Sequence, residues 1–181
     1  MKNMQKLFGE QRREFLLNKL IDEGAPITGT ALAAMANVSR QVIVSDMTLM
    51  KARNEPIIST SQGYLYLKER KEAHVSRQIA CVHTAEDTEN ELKLLVSAGA
   101  TVKDVTIEHP VYGELTANVF VSTESEADDF IRKIHSSNAG YLLELTDGFH
   151  LHTLTAPNEA ILDRAVEAMR EHGYLIEDHE S

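Results

Sequence analysis

Two histidines stand one residue apart in the β-prone run FHLHTLTAP, residues 149–157. Because positions i and i+2 of a strand share a face, His150 and His152 can hold one metal ion through neutral imidazole nitrogens. A third histidine, His83, ends the run IACVH, and Glu91 follows in the first turns of a predicted helix. A strand end and the next helix can fold back to one point. Three imidazoles and one carboxylate suit a divalent transition metal such as zinc, nickel, iron or manganese.

The same residues also permit hydrolytic chemistry, in which a metal activates water beside Glu86, Asp87 or Glu91. A metal-dependent enzyme and a metal-sensing regulator are therefore alternative interpretations. The chain has no nucleophile elbow, no HExxH motif and no phosphate-binding glycine loop, so nothing else supports an enzyme. His109, in EHPVYG, either lines an effector pocket or simply ends a strand before Pro110.

Polar residues at the start of a predicted third helix form a second candidate site. The segment SRQVIVSDMTLMKAR begins with Ser39, Arg40 and Gln41, and Ser45 follows about one turn later. Arginine pairs with guanine and glutamine with adenine, whereas serine hydroxyls and helix N-termini suit phosphate oxygens. The pattern predicts a DNA-reading helix, although such domains also serve as protein-interaction modules. The candidate phosphate contacts are Arg12, Arg13, Lys51 and Arg53.

Three helices and a hairpin are predicted to present this second site. Helical periodicity and capping residues predict helices over residues 9–24, 28–36 and 39–53. Two short β-prone runs, PIIST and GYLYL, follow and are joined by a Ser-Gln-Gly turn. This order predicts a winged helix-turn-helix DNA-binding domain over residues 1–72.

Strands and helices alternate in the rest of the chain. The predicted strands are residues 79–83, 102–109, 114–121, 141–146, 150–156 and the run YLIE, and the predicted helices are 88–99, 124–137 and 158–173. Asp147-Gly148 is a strong turn pair between two of these strands. The charged segment 68–77 is typical of a linker or a short helix. The order predicts an α+β domain over residues 73–181, with the helices on one face of the sheet.

Composition indicates a globular protein whose two parts differ in charge. The chain has 181 residues, of which 43% are hydrophobic and 25% charged. Residues 1–72 hold 11 Lys and Arg against 8 Asp and Glu, whereas residues 73–181 hold 7 against 20, which favours different partners. There is no secretory signal, no run near the ~20 apolar residues that cross a bilayer, and a single cysteine, Cys81. These features predict a cytoplasmic protein without membrane contact.

Four stretches of the sequence resemble the niacin-responsive transcription repressors, the NiaR family. They are SRQVIVSDMTLMKARNEPIISTSQGYLYL, IACVHTAEDTENEL, TVKDVTIEHPVYGELTA and YLLELTDGFHLHTLTAP. The resemblance runs from about Arg12 to Leu175, and its most specific part is TDGFHLHTLTAP. It implies an N-terminal helix-turn-helix followed by a three-histidine domain with an open-faced, phosphocarrier-like α+β sandwich fold.

The resemblance also implies a function and a ligand set. It implies a repressor of NAD biosynthesis or niacin uptake genes, with nicotinic acid as co-repressor and no enzymatic activity. In the alternative interpretation as a metal-dependent enzyme, the implied substrate is a pyridine carboxylate. By position, the family's metal ligands fall on His83, Glu91, His150 and His152. Repressors of this kind bind palindromic operator DNA as two-fold dimers, so a homodimer is expected. The nicotinate contacts are not placed by the resemblance beyond a pocket near the metal.

Overall fold

A computed structural model of the chain describes residues 9–67 and 74–177. The chain divides into two compact units, residues 1–71 and 72–181. None of the helices in the described ranges combines the length and the apolar character needed to cross a bilayer. The six residues between the two described ranges include most of the segment for which a linker or short helix is predicted.

The N-terminal unit contains three helices followed by an antiparallel hairpin. The elements are α1 Gly9–Glu23, α2 Gly29–Ala36, α3 Arg40–Ala52, β1 Ile57–Thr60 and β2 Gly63–Tyr66. Their apolar side chains meet in one core, whose fully buried members include Leu16, Leu20, Leu32, Ile43 and Met47. The predicted arrangement of three helices and a hairpin is confirmed.

Capping residues fix the start of α2 and the tight turn that connects α2 to α3. The Thr28 hydroxyl accepts a hydrogen bond from the main-chain N–H of Ala31 at 3.1 Å, and the Ser39 hydroxyl accepts one from Val42 at 3.4 Å. Asn37 ends α2 in the left-handed conformation, with φ of 51°. Asparagine adopts this conformation more readily than most residues, so the chain reverses within three residues. The first turn of α3 therefore begins at the surface.

Gly63 allows the hairpin to contact the segment before α2. Its φ is +136°, and a Cβ atom at this position would lie 2.4 Å from the main-chain oxygen of Ile27. Ile27 and Tyr64 exchange two main-chain hydrogen bonds of 2.9 Å, which joins the hairpin to the helices. Only glycine fits a backbone of this conformation at this separation.

The C-terminal unit has one four-stranded antiparallel sheet and three helices. The elements are β3 Val75–Val82, α4 Thr88–Ser97, β4 Thr101–His109, β5 Gly113–Val121, α5 Glu124–Ser137, β6 Phe149–Ala156 and α6 Glu159–Glu171. The strand order is β3-β6-β4-β5. The core lies between one face of this sheet and the helices, as its members Leu95, Ile131, Leu154 and Leu162 illustrate. The predicted α+β fold class is confirmed.

Two of the predicted strands are wrong. Residues 142–146 form a 3-10 helix, because the Glu144 carboxylate accepts a hydrogen bond from the Tyr141 N–H at 2.5 Å and Asp147 ends the turn with φ of 51°. In the run YLIE only Leu175 makes a bridge, to Cys81. The observed strand β3 is longer than the strand predicted over residues 79–83, because it begins at Val75, within the segment predicted as a linker or short helix.

Candidate metal centre and nucleic-acid interface

Three imidazoles surround one buried carboxylate in the C-terminal unit. The Nε2 atoms of His83, His150 and His152 lie 2.8, 3.1 and 3.3 Å from the Glu91 carboxylate oxygens. Glu91 is 1% exposed, and the three histidines are also buried. We call these four residues the imidazole–carboxylate cluster. The four residues singled out in the sequence as metal ligands are thus brought together.

The sheet and the helix α4 bring these four side chains to one point. His150 and His152 alternate with exposed or half-buried neighbours along β6, so both face the helices. His83 follows the last residue of β3, which pairs with the start of β6. Glu91 lies on the first turn of α4, which covers the same face. Strand pairing and the β3–α4 turn therefore position all four groups.

Main-chain carbonyls hold each of the three imidazoles in a single tautomer. The Nδ1 atoms of the histidines contact carbonyl oxygens as follows: His83 with Thr84 at 2.8 Å, His150 with Gly148 at 2.8 Å and His152 with Asp104 at 2.7 Å. A carbonyl oxygen only accepts hydrogen bonds, so each Nδ1 must carry the proton that is donated. In a neutral imidazole this leaves the Nε2 lone pair as an acceptor.

This tautomer leaves the cluster without a donor at its centre. A carboxylate is an acceptor, and three neutral Nε2 atoms that face it are acceptors as well. The buried Nε2 atoms of His83 and His152 accordingly have no hydrogen-bond partner among the described residues. Only a cation, either a proton or a metal ion, can reconcile these groups. An outer carbonyl contact that fixes ring orientation is also usual for metal-binding histidines, so the residues present fit a metal ion.

The electrostatics of the cluster favour charged groups despite the burial. Burial alone raises the pKa of Glu91, but the three imidazoles outweigh it and hold that pKa well below its ordinary value. Burial conversely lowers the pKa of His83 and His152, but contact with the Glu91 carboxylate outweighs it and raises both pKa values. An ionised carboxylate that attracts positive charge is therefore built into the site.

A glycine turn supports the cluster from the side of β6. Gly148 has φ of +92°, and its Cβ would lie 2.3 Å from the His83 carbonyl oxygen. Its own carbonyl accepts the Nδ1–H of His150. The Asp147-Gly148 turn predicted from the sequence is thus present, although it follows a 3-10 helix. This turn therefore contacts both His83 and His150.

We expect the Gly148→Ala substitution to weaken metal binding as well as the fold. The added methyl group must displace the His83 main chain, and a positive φ in a non-glycine residue costs on the order of 1–3 kcal/mol. Gly113→Ala is the matched control, because Gly113 has φ of +73° with open space around its Cβ position. Both variants should lower the free energy of unfolding, but only Gly148→Ala should lower metal affinity in a chelator competition titration. Equal metal affinities in the two variants would contradict this role for the turn.

One residue near the cluster was not identified from the sequence as a ligand. Cys81 is fully buried and lies opposite His150 in the pairing of β3 with β6. Its Sγ, a Glu91 carboxylate oxygen and a ring nitrogen of His150 lie within 4.8 Å of one another. Burial and the nearby Glu91 raise the pKa of the thiol. The spacing of Cys81 two residues before His83 was the available signal, since both side chains share a face.

His109 lies apart from the cluster, at the end of β4. Its Nδ1 accepts hydrogen bonds from the main-chain N–H groups of Val111 and Tyr112, at 3.1 and 3.2 Å. Its ring also packs against that of Tyr112, with 5.1 Å between the ring centroids. His109 therefore ends β4 and caps the turn between β4 and β5, and its place in an effector pocket stays a prediction.

The helix α3 presents the predicted DNA-contacting residues at the surface. Ser39, Arg40, Gln41 and Ser45 are all exposed. Ser39 has a structural role too, because it caps the helix. Thr48 is also exposed, about one turn beyond Ser45, and extends the same polar face. It is not among the residues predicted from the sequence to contact DNA. The exposed face suits insertion into a major groove.

The predicted phosphate-contacting residues have partners within the N-terminal unit. The contacts are Arg12 with Asp46 at 2.6 Å, Arg13 with Asp46 at 3.3 Å, Arg53 with Glu10 at 2.9 Å and Lys51 with Ser59 at 2.6 Å. Asp46 is 3% exposed, so its charge requires such partners. Arg12 and Arg13 therefore hold α1 against α3, which is a structural role.

Comparison with known proteins places this chain in a class. A helix-turn-helix domain family matches residues 12–65, and the 3H domain family matches residues 76–178. These two domains define a DNA-binding transcription regulator rather than an enzyme. The chain is 56% identical over 175 residues to a Bacillus subtilis protein named transcription repressor NadR, covering 96% of this chain and 97% of that protein. It is 34% identical over 169 residues to a Thermotoga maritima protein named probable transcription repressor NiaR, covering 93% and 95%.

The chain belongs to the 3H-domain family of transcription repressors with an N-terminal helix-turn-helix. The resemblance stated from the sequence is thereby confirmed. The alternative of a metal-dependent enzyme is set aside by the same comparisons.

Proposed function

We propose that this chain is a nicotinate-responsive repressor of NAD biosynthesis or niacin uptake genes. It binds palindromic operator DNA as a homodimer in the cytoplasm, holds a divalent transition metal in the imidazole–carboxylate cluster, and takes nicotinic acid as co-repressor. The family membership supports the repressor role, and the acidic C-terminal unit supplies the receptor for the small molecule.

The observation that carries this proposal is the convergence of three Nε2 acceptors on one carboxylate. The Nε2 atoms and the Glu91 oxygens are all hydrogen-bond acceptors, and they face one another at 2.8 to 3.3 Å in a buried site. A divalent cation there would bind all four side chains. The donor set of three nitrogens and one carboxylate fits zinc, nickel, iron or manganese. If such an ion were octahedral, these four residues would hold it and leave open coordination positions for a ligand.

Nicotinate has the chemistry that such a site recognises. Its carboxylate and its pyridine nitrogen can each coordinate a metal ion of this type. A divalent metal in the cluster would also supply positive charge that a negatively charged ligand requires. Metal loading is therefore expected to precede nicotinate binding.

The DNA-binding surface in this proposal is the exposed face of α3. In a two-fold dimer, two such helices enter successive major grooves, with half-sites about one helical turn or a multiple of it apart. Nicotinate bound to the C-terminal unit changes the affinity of the protein for its operator, and the coupling free energy in such cases is typically about 1–3 kcal/mol.

Operator binding with and without nicotinate tests this function. We expect nicotinate to tighten binding of the metal-loaded protein by roughly 5–150-fold on the promoter of an NAD-synthesis operon, as measured by fluorescence anisotropy. Nicotinamide serves as the control, because it lacks the carboxylate. An operator affinity that follows metal concentration alone, with no response to nicotinate, would instead indicate a metal sensor.

A further inference from the structure

Cys81 brings a sulfur atom to the edge of the imidazole–carboxylate cluster. It is 0% exposed and faces the helices, as His150 and His83 do. Its Sγ lies within 4.8 Å of both a Glu91 oxygen and a His150 ring nitrogen. Two donors on one zinc ion are separated by less than about 4.4 Å, since Zn–S is about 2.3 Å, Zn–N is about 2.1 Å and the ion is usually tetrahedral. The sulfur is therefore near enough to the other two donors for a modest side-chain adjustment to place all three on one ion.

A separate observation indicates that this place binds an ion. The Nε2 atoms of His83 and His152 are buried and aimed at Glu91, with no hydrogen-bond partner in the described part of the chain. Unpaired acceptors of this kind are costly in a protein interior unless a ligand satisfies them. The cysteine is thus placed beside nitrogens that themselves require a cation.

We propose that Cys81 is a fifth metal ligand, beside the three histidines and Glu91, and that it sets the metal preference of the site. This inference rests on the metal centre proposed above. On coordination the thiol proton passes to solvent, as it does for other cysteine ligands. The competing interpretation is that the thiol only donates a hydrogen bond to Glu91.

A sulfur ligand changes which ions the site prefers. Thiolates favour zinc and similar borderline or soft ions, whereas carboxylates, water and hydroxyls suit manganese and magnesium. With Cys81 as a ligand, the preference for zinc over manganese exceeds that of an otherwise identical site without sulfur. The substitution Cys81→Ser keeps a group that can donate to Glu91 but removes the sulfur, so it separates the two interpretations.

Cobalt-loaded full-length protein provides the direct test. Cobalt bound to a thiolate gives a sulfur-to-metal charge-transfer band in the near ultraviolet, which nitrogen and oxygen ligands do not give. We expect this band in the wild-type chain and its loss in both Cys81→Ser and Cys81→Ala. The ratio of zinc to manganese affinity should fall by at least about tenfold in Cys81→Ser.

The possible outcomes distinguish this inference from the function on which it rests. Cobalt bound by the wild-type chain without the charge-transfer band would overturn the role of Cys81 and leave the metal centre standing. An unchanged ratio of zinc to manganese affinity in Cys81→Ser would also overturn the role of Cys81, because serine keeps the hydrogen bond to Glu91 but not the sulfur. Failure of the wild-type chain to bind cobalt or zinc at all would overturn both. The wild-type spectrum requires no variant, so a variant that does not fold cannot obscure the answer.

Discussion

The Glu91→Gln variant is expected to bind a divalent metal at least about 100-fold more weakly than the wild-type chain. Removing a residue that only hydrogen-bonds to a metal ligand typically lowers metal affinity 10–100-fold. Glu91 is proposed as a ligand itself, so its loss should have a larger effect. The carboxylate is held ionised by the three imidazoles, which depress its pKa, so the substitution removes a full negative charge. Glutamine has nearly the same shape, and its amide N–H can donate to a histidine Nε2. The fold should therefore survive, and the nicotinate response should disappear.

Glu89→Gln is the matched control for this prediction. Glu89 lies two residues away on α4, its side chain is half exposed, and it pairs with Lys93 at the surface. Surface pairs of this kind contribute about 0–1 kcal/mol, so metal affinity should stay unchanged. Chelator competition measures affinity, and thermal unfolding of the metal-free proteins checks the fold. Similar metal affinities for both variants would mean that Glu91 is not a ligand.

The Arg40→Ala variant is expected to lose operator affinity while keeping its metal and nicotinate binding. Arg40 is exposed on the first turn of α3, where an arginine can reach a guanine edge. A bidentate contact of this kind contributes about 1–3 kcal/mol of discrimination, so binding should weaken roughly 5–150-fold and lose preference at one base pair. Anisotropy titrations against operators mutated at single positions measure both effects.

Arg132→Ala controls for the loss of one positive charge. Arg132 lies on α5 of the C-terminal unit, with a side chain that is 72% exposed and pairs with Asp129. Its removal deletes one exposed positive charge outside the helix-turn-helix domain, so operator affinity should stay within about twofold. If Arg40→Ala lowers affinity equally for operator and random DNA, then Arg40 contacts phosphate rather than a base.

The histidine pair was predictable because the period of a strand is independent of tertiary context. His150 and His152 share a face in any strand that contains both, and the observed strand β6 contains both. The caps of α2 and α3 were predictable for a similar reason, since Thr28 and Ser39 act on residues only three positions away. Local rules of this kind need no knowledge of the fold.

Features that depend on strand pairing were not predictable in the same way. Cys81 reaches the cluster because it lies opposite His150 in the register of β3 with β6. That register joins residues about seventy positions apart, and the sequence does not state it. Glu91 likewise faces the histidines only because α4 packs on that face of the sheet, so its position after His83 in the sequence indicated a candidate ligand but not this contact.

The 3-10 helix at residues 142–146 shows why short apolar runs are ambiguous. The run YLLELT contains β-prone residues and precedes a strong turn pair, so a hairpin was a reasonable prediction. Hydrogen bonding of the Glu144 side chain to the Tyr141 N–H and burial of Leu143 stabilise the helical turn instead. The structural role of Arg12 and Arg13 on α1 was likewise not evident from the sequence, since it depends on the buried Asp46 with which both pair; their contact with phosphate stays a prediction.

Anomalous diffraction from crystals of the zinc-loaded protein, collected at the zinc absorption edge, tests the central claim most directly. We expect one ion per chain at the centre of the imidazole–carboxylate cluster, with the Nε2 atoms of His83, His150 and His152 at about 2.0–2.1 Å and a Glu91 oxygen at about 2.0–2.2 Å. An anomalous peak elsewhere, or none after loading, would contradict the account.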